Sequence, residues 1–161
     1  MPIDATPKQI EMLLVEDSPT DVLIIREALG QTKLLNTMHV VEDGVEALAF
    51  LRQQGRYTAM PRPDLIILDL NLPKKNGREV LAEIKADPRL SLIPVVVLTT
   101  SRAEEDVIKT YGLHANCYIV KPMGFADFVE VVRSIRHFWL SVVTLPSEVD
   151  HGQGSDSSSA G

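Results

Sequence analysis

A single cysteine, Cys117, stands in 161 residues, so no disulfide can form within the chain. It lies in the apolar run Cys117-Tyr118-Ile119-Val120, which predicts a buried structural thiol, not a reactive one. Long apolar runs are also missing. None approaches the ~20 residues needed to cross a bilayer. The stretch Met1 to Glu11 holds two acids and two prolines with no apolar core, unlike a secretory signal. Positive charge is scarce: 16 Lys and Arg against 22 Asp and Glu leave a net charge of −6, the wrong sign for non-specific nucleic-acid binding. No internal repeat is present. These absences predict a cytoplasmic protein that engages neither membrane nor nucleic acid.

The remaining composition, 45% hydrophobic and 24% charged, suits a globular domain with a real core. It shifts only near the end, where Ser147 to Gly161 is rich in Ser, Gly and Asp and nearly free of apolar residues. The division expected is an N-terminal extension at 1–10, one domain at 11–145 and a disordered tail at 146–161.

The chain is organised around Leu65-Ile66-Ile67-Leu68-Asp69-Leu70-Asn71-Leu72-Pro73. An unbroken Leu/Ile run of strand length, bounded by Asp64 and Pro73, predicts a strand buried on both faces. Asp69 then sits at its carboxyl end, the edge of an open α/β sheet where ligands gather.

Four other apolar runs predict strands: Met12 to Val15, Thr37 to Val41, Pro94 to Leu98, and Cys117 to Val120. Between them lie segments with helical spacing. Ser18 and Pro19 suit the N-cap and first position of a helix that carries Val22, Ile25, Ala28 and Leu29 inward and stops at Gly30. The second helix is predicted at Val45 to Gln54, with Val45, Leu48, Ala49 and Leu51 on the core side. The third follows Gly77, buries Val80, Leu81 and Ile84, and ends at Asp87-Pro88. The fourth is predicted at Ala103 to Tyr111. The last, Phe125 to Leu140, has Phe125, Phe128, Val129, Val132 and Ile135 at core spacing. Strict alternation of strand and helix implies a flavodoxin-like (βα)5 three-layer sandwich, with a parallel sheet in the order 2-1-3-4-5.

That order brings Glu16 and Asp17, after strand 1, beside Asp69. Like charges so close are costly unless a proton or cation joins them, and hard oxygen ligands suit Mg²⁺. Taken alone, Asp17 could merely assist a helix start and Glu16 could be a solvated turn residue. Thr99 and Lys121 end strands 4 and 5, and each alone has a bland reading as a turn hydroxyl or a surface amine. Jointly, a metal and Lys121 neutralising phosphoryl oxygens, Thr99 donating a hydrogen bond and Asp69 as nucleophile make a set fit for phosphoryl transfer.

From about Met12 to Leu140 the chain resembles the receiver domain of two-component response regulators. The resemblance is carried by Val15-Glu16-Asp17-Ser18, Leu68-Asp69-Leu70-Asn71-Leu72-Pro73-Lys74-Lys75-Asn76-Gly77, Leu98-Thr99-Thr100 and Val120-Lys121-Pro122. It implies that Asp69 is the phospho-acceptor and a metal ligand. Asp17 would ligate Mg²⁺ directly, Glu16 through water, and Asn71 through its backbone carbonyl. Lys121, Thr99 and Thr100 would bind the phosphoryl group. Pro73, Gly77 and Pro122 would shape the loops, with Gly77 allowing the turn into its helix and the Lys121-Pro122 bond cis. Thr99 and Tyr118 would form the switch: Thr99 is drawn to the phosphoryl group while Tyr118 passes from exposed to buried.

The stretch Gln53 to Pro63 is longer than usual for the family and is expected to extend the second helix and its loop. About 20 residues follow the last helix, too few for an output domain, so a stand-alone regulator acting through protein contacts is expected. The long loop, the motif from Asp69 to Gly77, Asn116-Cys117-Tyr118-Ile119 and the His137-Phe138-Trp139 helix end together resemble small regulators paired with bacterial phytochrome histidine kinases. Phe138, Trp139 and Leu140 are a candidate interface, and the resemblance implies a homodimer through the face of helix 4, strand 5 and helix 5. Such a protein is a signalling switch with intrinsic phosphotransfer and autodephosphorylation, not an enzyme in the usual sense. The alternatives are an aspartyl-phosphate phosphohydrolase, which needs an acid where Asn71 stands, a phosphorylation-independent binding module, and a flavin electron carrier, whose phosphate Glu16-Asp17 would repel.

Overall fold

The structure is a computed structural model, and it describes residues 10–30, 36–103, 106, 109, 112–113 and 115–135. The N-terminal extension up to residue 9, the Phe138-Trp139-Leu140 patch and the 146–161 tail lie outside the described residues, as do Tyr111 and the end of the last helix.

Five parallel strands form one sheet: β1 (Ile10–Val15), β2 (Asn36–Val41), β3 (Leu65–Asp69), β4 (Val95–Thr99) and β5 (Cys117–Val120), in the order β2-β1-β3-β4-β5. The expected flavodoxin-like order is therefore the observed one. Helices α1 (Pro19–Gly30), α2 (Gly44–Leu51) and α3 (Gly77–Ala86) connect the first four strands. Residues 102, 103, 106 and 109 are helical between β4 and β5, and residues 125–135 are helical after β5.

The unbroken apolar strands serve both faces of the sheet. In β3, Ile66 and Leu68 pack with α2 and α3, whereas Leu65 and Ile67 pack with α1 and the 125–135 helix. Val95 and Val97 of β4 join the first cluster, Val96 and Leu98 the second. Side chains alternate along a strand, so a strand with cores on both sides has no position left for a polar residue until its end. Asp69 is the first polar residue of β3, and it is still only 2% exposed.

Several local expectations are corrected. The second helix ends at Leu51, not Gln54, because Gln53 turns left-handed at φ 56°. The chain then makes a short 3-10 turn at Gly55–Tyr57, so the long loop does not lengthen the helix. Asp43 sets the register of α2 by accepting the Glu46 N–H at 2.8 Å. In that register Ala47 and Phe50 face the core and Val45 faces out, 50% exposed. Phe125 opens the last helix on its outer side, also exposed, while Phe128, Val132 and Ile135 are buried. Cys117 is half-buried, since β5 is an edge strand with only β4 beside it. No described helix is long and apolar enough to cross a membrane.

Candidate functional site

The carboxyl ends of β1, β3, β4 and β5 converge on Asp69. Parallel pairing places Val15 beside Leu68, Asp69 beside Leu98, and Thr99 beside Val120. The last residues of β3 and β4 and the residues that follow β1 and β5 therefore reach the same edge.

Glu16 follows β1 and is 1% exposed, which rules out a solvated turn residue. Its backbone N–H donates to the Val41 carbonyl at 3.0 Å. Its Oε2 accepts from the Ser18 N–H at 3.3 Å and its Oε1 from Lys121 Nζ at 2.9 Å. Burial, and then the adjoining Asp69 carboxylate, push its pKa up to about 8, against the pull of Lys121. Asp17 is exposed. Ligand oxygens of Glu16, Asp17 and Asp69 lie within 4.8 Å of one another. Three hard oxygen donors, with Asp17 on the open side, suit a divalent cation such as Mg²⁺. The donor set thus fits the metal expected from the sequence.

Asp69 is held at both oxygens. Oδ1 accepts from the Asn71 N–H at 3.0 Å, and Oδ2 accepts from Lys121 Nζ at 3.2 Å. The Asn71 side chain is directed elsewhere, its Nδ2 donating to Thr100 Oγ1 at 3.3 Å. An amide at this position cannot supply the general acid that a phosphohydrolase needs.

Lys121 is largely buried rather than a surface amine, with 13% of its side chain exposed. Besides Glu16 and Asp69 it donates to Asp21 Oδ2 at 2.8 Å. Burial disfavours its charge, yet hydrogen bonds to Asp21 and Glu16 and the Asp69 charge outweigh this and hold the ammonium above the usual lysine range. Asp21 was missed in the sequence. The available signal was its place in the first turn of α1, where acids commonly sit to complement the helix dipole, a reading that hides any second role. The expected cis bond at Lys121-Pro122 is trans. The trans isomer is the favoured one by ~0.5–1 kcal/mol, and a lysine leaving β5 reaches the acids without the other.

The β3–α3 loop is shaped differently from expectation. Its left-handed residue is Lys74, at φ 66°, not Gly77. Gly77 is required by close approach: a Cβ there would lie 2.5 Å from the Asp69 carbonyl oxygen. The helix begins on Asn76, whose side chain accepts the Glu79 N–H while Glu79 accepts the Asn76 N–H, a capping box legible as Asn-x-x-Glu but overlooked. Pro73 is exposed in this loop and Pro122 half-buried after β5.

Thr99 is fully buried, its Oγ1 donating to the Ser101 carbonyl at 3.0 Å and accepting the Ser101 N–H at 3.2 Å. Tyr118 is half-buried against the α2–α3 core. Its hydroxyl donates to the Leu113 carbonyl and accepts from the Ala115 N–H, both at 3.0 Å.

Comparison with known proteins adds family relations to this geometry. The model of the response regulator receiver domain family matches residues 12–133. The response regulator Rcp1 of Synechocystis sp. is 51% identical over 144 residues, spanning 89% of this chain and 97% of that protein. Among solved structures, the phosphorylated cyanobacterial phytochrome response regulator RcpA superposes with a TM-score of 0.79 at 51% identity, covering 84% of this chain and 96% of that one. The Mn²⁺-bound form of Rcp1 gives 0.79 at 52% identity, covering 84% and 97%.

Proposed function

The chain belongs to the response regulator receiver family, and from that premise we propose that it accepts a phosphoryl group on Asp69 from the phosphohistidine of a sensor kinase. The observation that carries the reading is the Asp69 carboxylate, buried at the end of β3 with Lys121 Nζ 3.2 Å from one oxygen and two further acids beside it.

In the transfer, an Asp69 oxygen attacks phosphorus; the new O–P bond forms as the N–P bond to the imidazole breaks, and the imidazole leaves with a proton. Asp17, Asp69, the Asn71 carbonyl and, through water, Glu16 would hold Mg²⁺, which when bound neutralises charge on the phosphoryl oxygens. Lys121 shifts its Asp69-directed donor to a phosphoryl oxygen, and Thr99 and Thr100 supply hydroxyls to the others. Loss of the signal is hydrolysis: water attacks phosphorus, the P–O bond to Asp69 breaks, and inorganic phosphate departs. Thr99 leaving Ser101 and Tyr118 leaving Leu113 and Ala115 would transmit the state to the β4–β5 face.

The partner proposed is a phytochrome histidine kinase. Support comes from RcpA, a cyanobacterial phytochrome response regulator at 51% identity. Output is through protein contacts in the cytoplasm, with residues 11–145 as the receiver unit and self-association through the β5 face and the Phe138-Trp139-Leu140 end.

Intact mass after incubation with Mg²⁺ and acetyl phosphate tests the reading. The wild type gains one phosphoryl group and Asp69→Asn gains none while keeping its fold, since the amide preserves shape and removes one crowded charge. An Asp69→Asn chain that still gains the group, or a wild type that gains none even from a phosphorylated phytochrome kinase, overturns it.

A further inference from the structure

Lys121 has a third carboxylate partner with no part in the transfer chemistry. Its Nζ is 2.8 Å from Asp21 Oδ2, 2.9 Å from Glu16 Oε1 and 3.2 Å from Asp69 Oδ2. An ammonium has three N–H donors and no acceptor, so the three acids match its full donor set. Two of them have other work. Asp69 becomes the acyl phosphate, and Glu16 is among the acids whose oxygens converge for a cation. Asp21 is outside that convergence. It sits in the first turn of α1, on a helix start fixed by Ser18 Oγ accepting the Asp21 N–H at 3.3 Å.

We propose that Asp21 is the positioning residue for Lys121: it keeps the ammonium in the pocket when Glu16 turns toward the cation and Asp69 is esterified, so that one donor stays aimed at the phosphoryl group. The proposal rests on the phosphotransfer reading of Asp69. A lysine without this tether would keep only partners that the cation and the phosphoryl group also engage. Its long side chain would then sample several rotamers, and the approach of the phosphoryl donor would have to reorder it.

The test is a double-substitution cycle read by the rate of labelling with acetyl phosphate and Mg²⁺. Asp21→Ala slows labelling about tenfold, the loss expected for one charge-assisted hydrogen bond. Asp21→Asn, which keeps an acceptor, loses less. On a Lys121→Ala background, Asp21→Ala causes no further loss, because Asp21 acts only through the lysine. Wild-type labelling by Asp21→Ala, or a full additional tenfold loss in the double variant, overturns the proposal. A purely structural role would lower Tm and leave the cycle additive. The second readout needs no phosphorylation: in a crystal structure of the Mg²⁺-bound wild type, Lys121 Nζ stays in hydrogen-bond contact with Asp21. A lysine that has left Asp21 sinks the proposal, whether or not the chain is labelled. A retained contact in a chain that cannot be labelled upholds the tether and faults the Asp69 reading instead. If Lys121→Ala abolishes labelling altogether, this contact decides.

Discussion

The two flanks of Asp69 are built by different means. On the β3–α3 side, backbone lies directly on backbone. Gly77 N–H donates to the Leu70 carbonyl at 3.0 Å, and a Cβ on Gly44 would come within 2.0 Å of the Lys75 carbonyl oxygen. On the β4–β5 side, the positions are held by side-chain hydrogen bonds: Thr99 to Ser101, and Tyr118 to Leu113 and Ala115. Close packing of backbone is stiff, because any displacement meets steric repulsion at once. Hydrogen bonds of side chains are worth about 1 kcal/mol net and can be exchanged for others. The first flank is therefore suited to fix the residues after the acceptor, among them Asn71, and the second to change with the state of Asp69.

The sharpest way to break this contrast is to add a methyl group to the stiff flank. Gly44→Ala and Gly77→Ala each place a Cβ against backbone atoms that have no free rotamer to yield. Each is expected to cost about 3 kcal/mol, a fall of roughly 10 °C in Tm by calorimetry. A loss under a few degrees would mean that the loop yields easily, and the distinction between flanks would fall.

On the other flank the expected losses are smaller. Thr99→Val keeps the shape of a fully buried side chain but strips the Ser101 backbone of its hydroxyl partner, for about 1–2 kcal/mol. Tyr118→Phe removes a hydroxyl from a half-buried ring, for about 1 kcal/mol. Denaturant midpoints at constant slope measure both. Losses here that equal those of the glycine variants would show the second flank to be equally stiff.

The difference between flanks also explains what was legible in the sequence. The acceptor and its neighbours were readable because apolar strands end in polar residues only at the edge of the sheet, so Glu16, Asp69, Thr99 and Lys121 marked themselves. Strand order followed from the alternation of strand and helix. The registers of α2 and of the last helix were not readable in full. Val45 and Phe125 have core spacing, and only the Asp43 cap and the docking of each helix decide which side is in. The reason for Gly77 was misread for the same cause: a glycine needed for close approach looks, in sequence, like one needed for a turn. Asp21 was invisible because its role depends on a lysine 100 positions away.

The smallest effect expected sharpens the comparison from within the stiff flank. Glu83 of α3 accepts from Lys75 of the β3–α3 loop and from Arg52 after α2, the latter at 2.9 Å. The hydrogen bond from Lys75, more than that from Arg52, holds its carboxyl below the usual value near 4.5. A carboxylate whose pKa is lowered on folding stabilises the folded chain above the unfolded pKa, and that contribution is lost as pH falls through the folded one. All three side chains are about one-third exposed, so solvent screens the pairs and their worth stays below about 1 kcal/mol. Glu83→Gln should accordingly lower Tm by no more than a few degrees at pH 7, by less in high salt, and not at all at a pH below the folded pKa of Glu83. The loop is already held by the contacts of Gly44 and Gly77, and an ion pair laid over them adds little. A loss from Glu83→Gln as large as that from Gly44→Ala, and unchanged at low pH, would mean that side chains and not backbone packing hold this flank, and the two sides of Asp69 would be alike.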